Sequence, residues 1–294
     1  MNEPIELAVL GGSGFYDMPG LEDATEIAVA TPFGAPGDTI RVGRLDGVRV
    51  AFLARHGRNH TLLPSEIPQR ANFWALKQLG VKRVLAVSAV GSLREDYRPG
   101  EQVVPDQLLD RTLGNRPSTF FGDGIVAHVA MADPFCPSLR AAAISAASEA
   151  GARAHDGGSY VVIEGPQFGT RFESELYRSW GVSIVGMTAL PEAKLAREAE
   201  LCYAILASVT DYDSWHRGHD EVDAATIFET LRKNIDVSRA AVRALVRSLP
   251  SREFCGCAQA LDAAMATPVD AIAPEAIERL RPILARRLDL EAAP

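Results

Sequence analysis

A mixed, largely parallel α/β sheet flanked by helices is the fold class this sequence predicts, and three observations predict it. The apolar run Leu7-Ala-Val-Leu breaks into glycines near the start of the chain, the pattern of a buried parallel strand turning at a sheet edge. From residue 138 onward, strand-length apolar runs alternate with helix-length amphipathic ones, the rhythm of crossover-connected parallel strands. Between these regions Asp46-Gly47 separates two alternating runs, residues 39–45 and 48–54, which signals a hairpin and hence an antiparallel component.

Taken in order, the first strand leads into Gly11-Gly12-Ser13-Gly14, where backbone N–H groups can approach an anion closely. Asp17 stands where a dinucleotide fingerprint needs a small residue, and no Lys-Ser or Lys-Thr follows, so two nucleotide-phosphate motifs are excluded. A phosphate loop of another kind and a plain strand-end turn both remain open. The hairpin counts further against a dinucleotide unit, which puts a crossover helix in this place. Its second strand ends in Arg55-His56-Gly57-Arg58-Asn59-His60, a concentration of cationic or potentially cationic side chains beside a glycine that suits an anion.

A helix over residues 65–79 with Gly80 as its stop precedes a strand over 81–87, which opens into the small-residue loop Ser88-Ala89-Val90-Gly91-Ser92. That is the strand edge where open α/β sheets bind ligands. Residues 99–137 read as irregular loops and short strands, a length of irregular chain that is usually functional or interfacial. Helices at 138–149, 170–180, 191–200 and 224–248 then alternate with strands at 159–163, 182–185 and 202–209. The long helix closes a catalytic-size domain of residues 1–250; residues 251–294 form a tail with Cys255-Gly-Cys257 and a last helix over 274–288.

The 294 residues suffice for a sizeable core, and 47% hydrophobic with 23% charged residues is ordinary for a soluble globular protein. A formal charge of −8 without clustered Lys and Arg argues against nucleic acid. No signal peptide or membrane anchor is indicated, and the expected location is cytoplasmic. The four cysteines are too few for a disulfide scaffold and read as thiols in a reducing compartment.

Three strand ends collect polar groups: Ser13, the Ser88-Ala89 loop, and Met187-Thr188. With Arg55 and His56 they would surround one anion with hydroxyls, backbone donors and a guanidinium. Ser and Thr at such places often serve as helix caps instead. Glu164-Gly-Pro-Gln-Phe168 sets an aromatic ring at another strand end, either core or ligand platform. In Thr210-Asp211-Tyr212-Asp213 a buried strand ends in two carboxylates spaced to share one side of an extended segment. That pair suits a metal, acid/base work, recognition of an amino-bearing ring, or a cap with a surface Asp.

Together these motifs, with Gly91-Ser-Leu-Arg-Glu95 and Met131-Ala-Asp-Pro-Phe-Cys-Pro137, resemble the 5′-methylthioadenosine phosphorylase branch of the purine nucleoside phosphorylase superfamily from residue 7 to about 250. The resemblance implies a purine nucleoside phosphorylase-like fold in a homotrimer, with a hexamer as the alternative, and sites at subunit boundaries. It implies an orthophosphate site of Ser13, Arg55, His56, Ala89 through its backbone, and Thr188. It puts Ser88 and Met187 beside the ribose, Phe168 against the purine, and Asp211 and Asp213 at the adenine edge. His128 would reach a neighbour's 5′ pocket, completed by Ala224, Ile227 and Phe228 on one helix face. The implied reaction is reversible phosphorolysis of 5′-methylthioadenosine, or a close 5′-substituted relative, to adenine and 5-methylthioribose 1-phosphate, a salvage step. Orthophosphate is then a co-substrate, and neither cofactor nor metal is expected.

Within that resemblance Asp211 supplies or relays a proton to N7, and Asp213 accepts from the exocyclic amine. Gly169 stands where family members often have Ser, and Phe228 is larger than expected for the 5′ pocket. Similarity to disulfide-bearing archaeal relatives brings in a Cys136–Cys202 bridge. The rival readings are phosphorolysis of other purine nucleosides, a hydrolytic nucleosidase, and a silent purine-nucleoside-binding protein.

Overall fold

The computed structural model describes residues 3–12, 15–216 and 224–290, without the side chains of residues 224–228, 231, 233 and 254. Strand β1 (Leu7–Gly11) lies parallel between β4 (Val48–Ala54) and β5 (Arg83–Ser92), with Leu7 opposite Val50 and Ala8 opposite Val84. Both faces of β1 are buried. Leu7 and Val9 enter one hydrophobic cluster while Ala8 and Leu10 enter another, as period-two side chains must in a sheet covered on both sides.

The sheet order is β2 (Glu22–Ile27), β3 (Ile40–Leu45), β4, β1, β5, β10 (Ile184–Gly186), β9 (Ser159–Ile163) and β7 (Gln107–Arg111), with β11 (Cys202–Asp211) pairing in parallel with β5 and leading on to β6 (Gln102–Val104) and β8 (Ala154–Asp156). Strand β3 (Ile40–Leu45) and β4 form the expected hairpin. Its turn residues Asp46 (φ 49°) and Gly47 (φ 80°) both take left-handed backbone, which matches the twist of the flanking strands. Strand β5 is the hub. Its first half pairs with β1 and β11, and Gly91 and Ser92 at its far end pair antiparallel with β10 (Ile184–Gly186). Residues 88–92, expected to be a loop, are therefore strand.

Helices cover both faces. On one, α2 (Pro137–Glu149) and α5 (Ala224–Arg247) pack Leu139, Ala143, Val242 and Leu245 against Leu7, Val9 and Leu206. On the other, α1 (Gln69–Gln78) and α4 (Ala189–Glu198) pack Phe73, Ala193 and Leu195 against Leu10, Ile205 and Tyr203. Helix α1 begins only after Pro68, four residues later than expected, and Pro68 itself is the N-cap. Helix α3 (Arg171–Ser179) starts with a reciprocal capping box between Thr170 and Glu173.

Two strands carried no readable pattern: β2 (Glu22–Ile27), which is almost wholly exposed, and the three-residue β8 (Ala154–Asp156). The last helix is two pieces, α6 (Pro274–Arg279) and α7 (Arg281–Leu284), because Pro282 has no N–H to continue the ladder. These pieces are not detached: Leu261, Leu280, Ile283 and Leu284 join the cluster that holds Phe73 and Tyr203, and Trp74 Nε1 donates to Arg279 O at 3.1 Å.

Candidate active site

The C-terminal ends of β1, β4, β5, β9, β10 and β11 surround a cavity of about 880 Å³. Of the residues the sequence singled out, Arg55, His56, Ser88, Ala89, Phe168, Met187, Thr188, Asp211 and Asp213 line it. Ser13 lies outside the described residues, though Gly12 beside it lines the cavity. Ala224, Ile227 and Phe228 begin α5 with side chains outside the described ones; further along that helix Arg232, Ile235 and Ser238 face the cavity. His128 is exposed and is not among the lining residues; its N–H donates to Ala264 O at 2.8 Å.

Arg55 leaves β4 with its guanidinium 2% exposed. Nη2 donates to Leu10 O at 2.6 Å, Nη1 to Val87 O at 3.1 Å, and Nε lies 2.8 Å from Glu192 Oε1. A guanidinium carries five N–H donors, so these contacts fix its plane and leave donors for a ligand. Glu192, in the first turn of α4, is fully buried and accepts from Tyr203 OH at 2.8 Å and from Gln69 Nε2 at 3.4 Å. Burial pushes its carboxyl up, against the pull of the Arg55 charge. The sequence reading missed Glu192. Its only signal was a charged residue in an otherwise apolar helix face, which an isolated sequence cannot assign to a partner.

His56 Nδ1 donates to Leu62 O at 2.9 Å, and its ring stacks on His60 at 4.4 Å. Burial first, with the nearby Arg55 charge, holds it down at about 4, so the imidazole is neutral near pH 7 and turns a bare Nε2 to its surroundings. The cationic cluster expected at residues 55–60 therefore supplies one buried cation. Arg58 is drawn outward to Asp38, Glu26 and the Tyr16 ring.

Thr188 is the N-cap of α4 but makes no side-chain cap bond, which leaves its hydroxyl to the cavity. Leu190, extended at φ −120° and ψ 135°, interrupts α4, so Thr188 and Ala189 stand before the continuous helix that starts at Pro191. Ser88 Oγ is buried without a hydrogen-bond partner among the described residues, as suits a polar ligand. Arg116, also missed, ties the other wall together: Nη1 donates to Met187 O at 2.6 Å and Leu190 O at 2.9 Å, and Nε to Glu164 Oε1 at 3.2 Å.

At the opposite wall Asp211 Oδ2 accepts from Thr210 Oγ1, and Oδ1 from the Asp213 N–H, both at 2.7 Å. That second bond, with Asp213 at φ 51°, makes the segment a turn where the sequence suggested extended chain, yet both carboxyls still reach the cavity. Asp213 Oδ2 accepts from Ser174 Oγ at 2.5 Å. Burial raises both acids, and Asp213, pressed also by the neighbouring Asp211 charge, reaches about 6. Gly91 permits this close approach: a Cβ there would meet Asp211 Oδ1 and Asp213 Cβ at 3.0 Å. Ile163, Pro166, Val185 and the half-exposed Phe168 complete an apolar wall between the acids and the open side.

A cavity with a buried guanidinium at one end and, at another, two carboxyls whose titration burial raises defines a site for an anion together with a nitrogenous ring. The sequence model of the phosphorylase superfamily matches residues 6–248, and the chain belongs to that family. Within it the chain is 53% identical, over 93% of its own length and 96% of the relative's, to the S-methyl-5′-thioadenosine phosphorylase of Geobacter sulfurreducens. The crystal structure of a methylthioadenosine phosphorylase sourced from an antarctic soil metagenomic library superposes with a TM-score of 0.91 at 47% identity, covering 96% of this chain and 99% of that one. A mutant of the adenosine/methylthioadenosine phosphorylase of Schistosoma mansoni, solved in complex with methylthioadenosine, superposes at 0.82 and 36% identity over 91% and 100%.

Proposed function

We propose that this chain catalyses reversible phosphorolysis of 5′-methylthioadenosine to adenine and 5-methylthioribose 1-phosphate. The carrying observation is the single cavity that holds Arg55, locked by Glu192, and the Asp211–Asp213 pair. Phosphate oxygen attacks C1′ as the C1′–N9 bond breaks, and the electron pair of that bond leaves with the base. Orthophosphate, oriented by Arg55, Thr188 and the Ala89 backbone, stabilises the cationic ribosyl group that it also traps. Neutral His56 offers Nε2 to a phosphate or sugar hydroxyl, and Ser13 and Ser88 complete the polar shell.

The departing adenine gathers negative charge, which protonation at N7 relieves. Asp211 is the donor or relay to N7, and Asp213 accepts from the 6-amino group. Met187 and Phe168 pack the sugar and base. The chemistry calls for neither metal nor organic cofactor.

The working assembly in this proposal is a homotrimer in the cytoplasm, in which His128 serves a neighbouring subunit's 5′ pocket beside Ala224, Ile227 and Phe228. The exposure of His128 away from its own cavity supports that reading. No helix among the described residues is long and apolar enough to cross a membrane. A panel of 5′-methylthioadenosine, 5′-deoxyadenosine, adenosine and inosine, run with and without phosphate, tests the proposal. Phosphate-dependent release of adenine, fastest from 5′-methylthioadenosine, is expected. Equal turnover without phosphate would make the protein a hydrolase, and tight binding without turnover a carrier.

A further inference from the structure

The four cysteines, far apart in sequence, meet at one point. Cys136 precedes α2 as its N-cap, Cys202 opens β11, and Cys255 and Cys257 come from the C-terminal segment. All four Sγ atoms lie within 4.8 Å of one another, and Cys202 Sγ is 3.5 Å from Cys255 Sγ. Cys136, Cys202 and Cys257 are buried, Cys255 partly so, and all are free thiols.

We propose that this cluster is a structural zinc site in which the four thiolates bind one ion tetrahedrally. A Zn–S bond of about 2.3 Å sets the edges of such a tetrahedron near 3.8 Å, so the observed spacing closes on the ion with sub-ångström side-chain adjustments. Disulfide pairing would draw sulfurs together two by two; here the four are mutual neighbours, the arrangement that one soft cation needs. Cys136 is held in place as the N-cap of the 13-residue helix α2. Cys136, Cys202 and Cys257 belong to the same buried apolar cluster as Leu139, Ala143, Leu245 and Val246, and Cys255 packs against it.

The site is distinct from the catalytic cavity. Cys202 and Asp211 are the two ends of β11, about 30 Å apart at the rise of an extended strand. Its structural effect is to fasten residues 255–257 to the base of the sheet. The segment that follows carries Ala264 O, the acceptor for the His128 N–H, and Met265, which bridges to Ala127, so the ion anchors the strap that holds the His128 loop.

The test uses the full chain, expressed with zinc and purified anaerobically without chelator. About one zinc per chain by elemental analysis is expected, and chelation should lower Tm, with zinc restoring it. Co2+ added to the reduced, metal-free protein should saturate at one equivalent, with sulfur-to-cobalt charge transfer and the d–d bands of a tetrahedral all-thiolate site. Cys257→Ser should shift those bands and weaken cobalt binding at least tenfold while phosphorolysis by the folded variant persists. If that variant does not fold, the cobalt spectrum of the unsubstituted protein still decides. Reduced protein that develops no thiolate–cobalt absorption overturns the proposal, as does an anaerobic preparation whose intact mass shows disulfide-linked cysteines.

Discussion

Glu192→Ala isolates the buried pair on which the anion end of the cavity depends. In the wild type Glu192 lies 2.8 Å from Arg55 Nε with both side chains out of water, and Tyr203 OH donates to its other oxygen. Deleting the carboxylate strands a guanidinium whose remaining partners are the Leu10 and Val87 carbonyls, and it orphans the tyrosine hydroxyl. Breaking a buried pair from one side costs about 3–5 kcal/mol, and the unpaired hydroxyl adds about 1 kcal/mol or more. The expected loss is therefore about 4–6 kcal/mol, a factor of roughly 10³–10⁴ in the folding equilibrium and a large part of a typical domain's stability. Urea unfolding at fixed subunit concentration measures it. Where the variant folds, KM for phosphate should rise by about tenfold or more while KM for the nucleoside moves little, because the guanidinium loses its fixed plane. The double variant Arg55→Met with Glu192→Leu should regain most of the stability and none of the activity. A loss below about 1 kcal/mol, or normal phosphate KM in a destabilised Glu192→Ala enzyme, would refute the positioning argument.

Four further outcomes follow from the same geometry. Asp211→Asn should cut kcat/KM for 5′-methylthioadenosine by about 10²-fold or more and relax selectivity toward 6-oxopurines, and unchanged kinetics would remove Asp211 from the chemistry. Because proton donation needs Asp211 in its protonated form, and burial raises its titration above the usual carboxylate range, wild-type kcat/KM should decline once pH passes that raised value; a rate still climbing at pH 8 contradicts the assignment. His56 is held down at about 4, below its unfolded value near 6.5, so the unfolded chain binds the extra proton between these limits and the stability present above pH 6.5 is lost as pH falls through the window. Wild type should accordingly lose up to about 3 kcal/mol more than His56→Gln between pH 7 and pH 4, and parallel unfolding profiles would falsify the burial argument. Gly169 has ordinary backbone, and a Cβ there would make only van der Waals contact with Glu173 at 3.8 Å, so Gly169→Ser should fold with unchanged Tm and alter KM for the nucleoside alone.

Much of this architecture was legible before folding. The Asp-Gly turn, the helix ranges after residue 138 and the long closing helix all rest on local chemistry, and α2, α3, α5, β9 and β11 fall within a residue or two of expectation. The failures share a cause. Strand β2 exists because β3 offers an edge to pair with, although its own side chains show no buried face. Residues 88–92 are strand because β10 and β11 hydrogen-bond to them, which overrides their small, loop-like composition.

The site divides in the same way. Arg55, Thr188, Asp211 and Asp213 could be singled out because strand ends followed by polar residues are a sequence pattern. Their states could not be, since burial and partners set them: Glu192 locks Arg55, burial neutralises His56, Arg58 turns to Asp38, and Gly91 makes room for the two acids. Nor does any spacing bring Cys136, Cys202 and the Cys255-Gly-Cys257 pair to one point. Backbone preference and side-chain periodicity act over a few neighbours, so most of the elements and the residue types available for chemistry can be read along the chain. Which groups are charged, paired or gathered is set by folding, because desolvation and Coulomb interactions depend on distances that the chain closes only when it folds.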